Sequence, residues 1–110
     1  MTVPRWATEI VQREAPGAVF RWRWSRRPKA STGYAYDRGD FVVTASQATP
    51  HSEVKMVLLH ELAHHLLPPK LRHGVAFWRL FSQLCDKYAV PMRMARHHAR
   101  RKAAGRSVFT

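Results

Sequence analysis

Apolar residues recur with helical spacing at Val3, Trp6, Ala7, Ile10 and Val11, which predicts a first helix over residues 3–15, closed by Pro16-Gly17. The rhythm then changes to period two. In Val19-Phe20-Arg21-Trp22-Arg23-Trp24, aromatic and basic residues alternate, as in a strand with one buried face, here Phe20, Trp22 and Trp24. Ser25 to Lys29 reads as a basic turn, and Thr32-Gly33-Tyr34-Ala35-Tyr36 as a second strand. Asp37-Arg38-Gly39-Asp40 reads as a hairpin turn leading to a third strand, Phe41-Val42-Val43-Thr44. Val54, Val57, Leu58, Leu62, Leu66 and Leu67 then mark a helix buried along one side. It starts near residues 50–52, where Thr49-Pro50, Ser52 and Glu53 supply start signals, and stops at Pro68-Pro69, which cannot continue the hydrogen-bond ladder. A further helix spans Val75 to Tyr88, with Trp78, Phe81, Leu84 and Cys85 toward its apolar side, and Pro91 breaks it. The tail, MRMARHHARRKAAGR, predicts a cationic helix with little to bury.

These elements define an α+β fold: an N-terminal helix, a small three-stranded antiparallel sheet, two further helices and a basic helical tail. With 110 residues and 45% apolar composition, the chain is one domain with a modest core. The division expected is a folded unit over residues 1–90 and a basic extension over 91–110. Cys85 is the only cysteine, which excludes an internal disulfide and suits a reducing compartment. Its place among apolar neighbours predicts a buried structural thiol. No signal-peptide core or membrane-spanning run is present, so the expected location is cytoplasmic. Nineteen Lys and Arg against seven Asp and Glu give a net charge of +12, a field that draws polyanions. Nucleic acid is the expected partner, and an acidic protein is the alternative. Arg93, Arg96, Arg100, Arg101, Lys102 and Arg106 in the tail are the expected contacts. Arg21, Arg23, Arg26, Arg27 and Lys29 are either a solvated strand face or a second phosphate-facing patch.

The chemistry concentrates in the string MVLLHELAHHLL. Residues four apart on a helix share a face, so His60 and His64 can present two imidazole nitrogens to one ion, as zinc prefers. Glu61, one step round the helix, is placed to work on water at the ion rather than to bind it. A buried helix carrying two histidines and a glutamate needs a reason for them, and a metal is one. A catalytic zinc keeps three protein ligands and one exchangeable position. His51 lies too far back along the helix to be the third, and His65 points elsewhere, about 100° round from His64. His97 and His98 sit in the basic tail. His73 follows the Pro-Pro break and a short loop, directly before Gly74 and the next helix, so a chain turning back can deliver it. The alternative for His73 is a purely local hydrogen bond at a helix start.

The combination of His60-Glu61-Leu62-Ala63-His64 with the downstream His73-Gly74-Val75-Ala76-Phe77-Trp78 resembles the SprT-like zinc metallopeptidases, the group that includes Spartan. Gly33-Tyr34-Ala35-Tyr36, a turn, and Phe41-Val42-Val43-Thr44 are similar to the hairpin before the motif helix in that group. The resemblance covers residues 3–90, with only the two histidine-bearing segments specific. It implies an SprT-like domain over residues 1–90, zinc held as one Zn2+ by His60, His64 and His73, and Glu61 as catalytic base. It also implies a DNA-associated protease, in agreement with the charge. The short gap from His64 to His73 and the lack of a cysteine-rich zinc ribbon depart from the group's larger members. The ImmA/IrrE-type peptidases share HExxH but draw an acidic third ligand from the following helix, which here offers only Asp86, late in that helix.

The function expected is therefore a zinc endopeptidase acting on proteins or peptides at or near nucleic acid. Phe41 to Thr44 is the expected sheet edge for an extended substrate. Tyr34, Tyr36, His65 and Arg72 are unranked candidates for stabilising the oxyanion. Two other classes stay open: a non-catalytic zinc-stabilised module that binds DNA or protein, and a metallohydrolase cutting another bond.

Overall fold

The computed structural model describes residues 3–25, 32–35, 40–47 and 49–103. In chain order the elements are α1 (Arg5–Glu14), β1 (Phe20–Ser25), β2 (Thr32–Ala35), β3 (Phe41–Ser46), α2 (His51–Leu66), a 3-10 turn (Pro69–Leu71), α3 (Val75–Lys87) and α4 (Met92–Ala103). The mixed α+β reading holds, and the basic tail is helical as far as Ala103. The expected basic turn at 26–29 and hairpin turn at 37–39 lie outside the described residues, as does Arg106.

The sheet corrects one expectation. It is not antiparallel throughout: the strand order is β1-β3-β2, and β1 pairs with β3 in parallel, Phe20 opposite Phe41 through to Ser25 opposite Ser46. Only β2 runs antiparallel to β3, with Gly33 opposite Val43. The physical reason lies in β3 itself. Phe41, Val42, Val43, Ala45 and Ser46 are all buried, so the strand cannot lie at a solvated edge. Pairing on both sides satisfies its buried backbone groups. Because β1 and β3 run the same way, separated by one reversed strand, docking β1 beside β3 instead of β2 makes that pair parallel. A second correction follows: Phe41 to Thr44 is the central strand, and β1 and β2 are the edges of the described sheet.

Helix α2 lies between the sheet, which it meets at β2 and β3, and α3, while α1 touches it as well. It is therefore buried all round its middle rather than along one side. Every residue from Met56 to Ala63 is buried. Leu58, Leu59 and Leu62 are wholly enclosed, each such side chain contributing about 1.5–3 kcal/mol. Helix α3 faces α2 with Phe77, Phe81, Leu84 and Cys85, spaced as one helical stripe. Burial pushes the Cys85 thiol up to about 12, so it stays protonated and serves as core. Helix α4 packs on α3 through Ala95 and the half-buried Met94. On β1 the alternation is as read: Arg21 and Arg23 are exposed, and Phe20, Trp22 and Trp24 are half-buried. Trp22 meets Trp6 of α1 edge to face at 5.7 Å and Trp24 at 5.8 Å.

One polar clamp ties the ends of the helices together. Glu14, closing α1, accepts a hydrogen bond from the Tyr88 hydroxyl and lies 2.7 Å from Lys87 Nζ, while Lys55 Nζ of α2 donates to the Tyr88 carbonyl at 3.0 Å. Burial pushes the Glu14 carboxyl up, but the Lys87 and Tyr88 hydrogen bonds and the charges of Lys87 and Arg13 together outweigh it, so it lies below the ordinary value of 4.5. A depressed carboxylate contributes stability above its unfolded pKa and loses it as pH falls through the folded one. The expected result is that Glu14→Gln lowers the Tm at neutral pH, and that this difference shrinks as the pH falls through the depressed pKa of folded Glu14. Thermal melts of both proteins between neutral and acid pH measure this.

Candidate metal centre

His60 and His64 lie one turn apart on α2, and their Nε2 atoms are 3.2 Å apart. The chain leaves α2 at Leu67, which is extended, and Pro68. It winds through the Pro69–Leu71 turn, in which Leu71 N–H donates to the Pro68 carbonyl and Arg72 N–H to that of Pro69. Arg72 adopts a positive φ of 43°, a strained conformation for a non-glycine residue. Gly74 N–H then bonds the Leu71 carbonyl, from which a Cβ at residue 74 would lie only 3.1 Å. This tight reversal brings His73 back onto α2. Its Nε2 lies 3.0 Å from that of His64 and 3.2 Å from that of His60.

Three Nε2 atoms at such distances do not make a hydrogen-bond network. Each carries either one hydrogen or one lone pair, and a single hydrogen bond engages only two of the three. The triangle fits a shared cation instead. The spacing is compatible with three imidazole nitrogens sharing one zinc ion at the usual bond length of about 2.0–2.1 Å. His60, His64 and His73 are thus close enough together to hold a metal ion. Among the described residues, no cysteine or acidic side chain joins this group of ligand atoms.

Aromatic residues hold the rings in place. Phe77, fully buried, packs against all three imidazoles, with ring centres 4.8 Å from His60, 4.4 Å from His64 and 4.9 Å from His73. Trp78 stacks on His73 at 5.8 Å, and Phe81 meets His60 edge to face at 5.7 Å. His60 and Glu61 are wholly enclosed, whereas His64 and His73 are half-buried. The cluster therefore has a closed floor and a side open to solvent.

Among the described residues, neither His51 nor His65 joins this group of ligand atoms. His51 is exposed at the start of α2, against Trp6 at 4.7 Å. The His65 ring lies 5.8 Å from Phe41, and its buried Nδ1 has no hydrogen-bond partner among the described residues. Arg72 is exposed on the reversal. Arg93, Arg96 and His97 are exposed on α4; the side chains of His98, Arg100, Arg101 and Lys102, like that of Tyr34 and all of Tyr36, lie outside the description. One residue that sequence reasoning passed over stands out. Gly33 of β2 is packed directly on Glu61: a Cβ there would fall 2.5 Å from Glu61 Cγ and 2.7 Å from Oε2. A glycine inside a strand was its only signal.

No known family model, curated protein or solved structure matches this chain. No helix among the described residues is long and apolar enough to cross a membrane.

Proposed function

We propose that the protein is a zinc-dependent endopeptidase that works close to nucleic acid. The observation that carries this reading is the convergence of three imidazole nitrogens beside an enclosed glutamate. The likeness of the two histidine segments to SprT-like peptidases supports it. So does the ligand count, since a structural zinc takes four protein ligands and a catalytic one three.

Zinc, when bound, polarises a carbonyl and makes water nucleophilic at neutral pH. His60, His64 and His73 would hold the ion, and the packing of Phe77, Trp78 and Phe81 against the imidazoles fixes the rings. Glu61 accepts the proton of the attacking water and delivers it to the leaving amine. It follows His60 directly on α2 and is wholly enclosed, so its carboxylate needs little further ordering to act. An extended substrate adds to β2, the edge strand whose Gly33 lies against Glu61, by main-chain pairing.

Charge supports the nucleic-acid part. No acidic residue occurs between Glu61 and Asp86, and Lys70, Arg72 and Arg79 in that stretch are exposed. Arg93 and Arg96 add to this field from α4, with Arg100, Arg101 and Lys102 following in sequence. Binding to duplex or single-stranded DNA is expected to weaken steeply between 50 and 200 mM salt, by about 10³-fold if some six phosphates are contacted. Titrations at several salt concentrations measure this, and an interaction indifferent to salt contradicts it.

Cleavage of casein, or of a DNA-bound protein, tests the catalytic part. Activity is expected to vanish with a chelator and return with one equivalent of Zn2+. Zinc bound tightly with no cleavage of either substrate would instead favour a zinc-stabilised binding module.

A further inference from the structure

Glycine in a strand interior is unfavourable, because it has no side chain to pack and more freedom to lose on folding. Two circumstances account for it: a left-handed backbone, or a neighbour too close for a Cβ. Gly33 has no positive φ, so its backbone suits any residue. The close neighbour is the side chain of Glu61, at 2.5 Å from the ideal Cβ position for Cγ, 2.9 Å for Cδ and 2.7 Å for Oε2. Ordinary carbon–carbon contacts lie at about 3.5–4.0 Å. Glu61 cannot retreat from a methyl group at this position, being fully enclosed on a helix buried on every side. Nor can β2 move off easily, since Gly33 is held in register opposite Val43 of the central strand.

We infer that Gly33 is a positioning residue for Glu61: the missing side chain on β2 reserves the space that the carboxylate occupies and so fixes its direction. This role rests on the hydrolase reading of Glu61, while the contact itself does not. Strand β2 is thereby the wall against which the proton-transferring group is set. Any side chain at residue 33 turns that group out of line.

The test is a double-mutant cycle with two readouts. Gly33→Ala in the zinc-loaded protein is expected to lower kcat about 100-fold, as for a misplacement of about 1 Å, with KM changed less than about threefold and zinc content unchanged. It is also expected to lower the Tm by roughly 5–15 °C through overpacking. In a Glu61→Ala background, where Cγ, Cδ and both oxygens are absent, the same substitution is expected to cost little Tm. That second readout needs no activity, so it judges the Gly33–Glu61 contact even if the wild-type protein cleaves nothing, an outcome that would defeat only the hydrolase reading. A Gly33→Ala protein that fails to fold while the double variant folds supports the inference. An equal Tm loss in both backgrounds, a double variant that does not fold, or a Gly33→Ala enzyme with wild-type kcat overturns it.

Discussion

Glu61→Gln is expected to abolish peptide hydrolysis while leaving the zinc in place. Glutamine matches glutamate in shape and fills the same enclosed space under β2, so the helix and its two histidines keep their geometry. What is lost is the ability to take up a proton. A positioned general base contributes about 10²–10⁴-fold, or roughly 3–5 kcal/mol of transition-state stabilisation. The loss should appear in kcat and kcat/KM alike, with KM little changed, because proton transfer acts only in the transition state. Steady-state kinetics with metal analysis on the same preparations separate the two effects. Retained activity in this variant removes Glu61 from the chemistry. Loss of zinc together with activity makes it a ligand or a structural support instead.

His73→Ala is expected to have the other large effect, on the metal and through it on the fold. Two imidazoles four residues apart on α2 remain, but the third donor and the stacking of Trp78 on its ring are gone. Affinity for zinc is expected to fall by at least about 100-fold, since one of three first-sphere bonds is removed. The ion binds the folded chain and so stabilises it. At a zinc concentration about 100 times the wild-type Kd, that linkage is worth about 2.7 kcal/mol, and the variant should lose most of it. Thermal melts with and without added zinc show the result directly: a clear Tm rise for wild type and almost none for His73→Ala. An equal rise in both proteins would place the binding elsewhere.

The helices and the metal trio were legible because their signals are local. His60 and His64 lie within one turn, and the Pro68-Pro69 stop followed by a short loop already pointed His73 back toward them. What the sequence could not announce is that Arg72 takes a positive φ to complete that reversal. Pairing in the sheet is not legible from local pattern, because partner choice is a long-range matter. The unbroken run Phe41-Val42-Val43 nevertheless carries a sign of the central place: a strand covered on both faces does not alternate, whereas β1, at an edge, does. For the same reason the sequence pattern shows only one side of α2. Its apolar stripe was visible, but burial of Met56, Leu59 and Ala63 as well depends on a sheet and two helices arriving from different sides. Gly33 is the extreme case. Nothing near it in sequence explains a strand glycine, and the explanation sits on a helix that follows after another strand.

X-ray absorption at the zinc edge on the protein purified with one equivalent of Zn2+ tests the three-imidazole site most directly. It is expected to show a four-coordinate ion with three imidazole nitrogens and one further light atom at about 2.0–2.1 Å, and no sulfur. In the His73→Ala protein the imidazole scattering should fall to two rings or vanish with the metal. A sulfur shell near 2.3 Å, or fewer than three imidazoles in the wild-type spectrum, would contradict it.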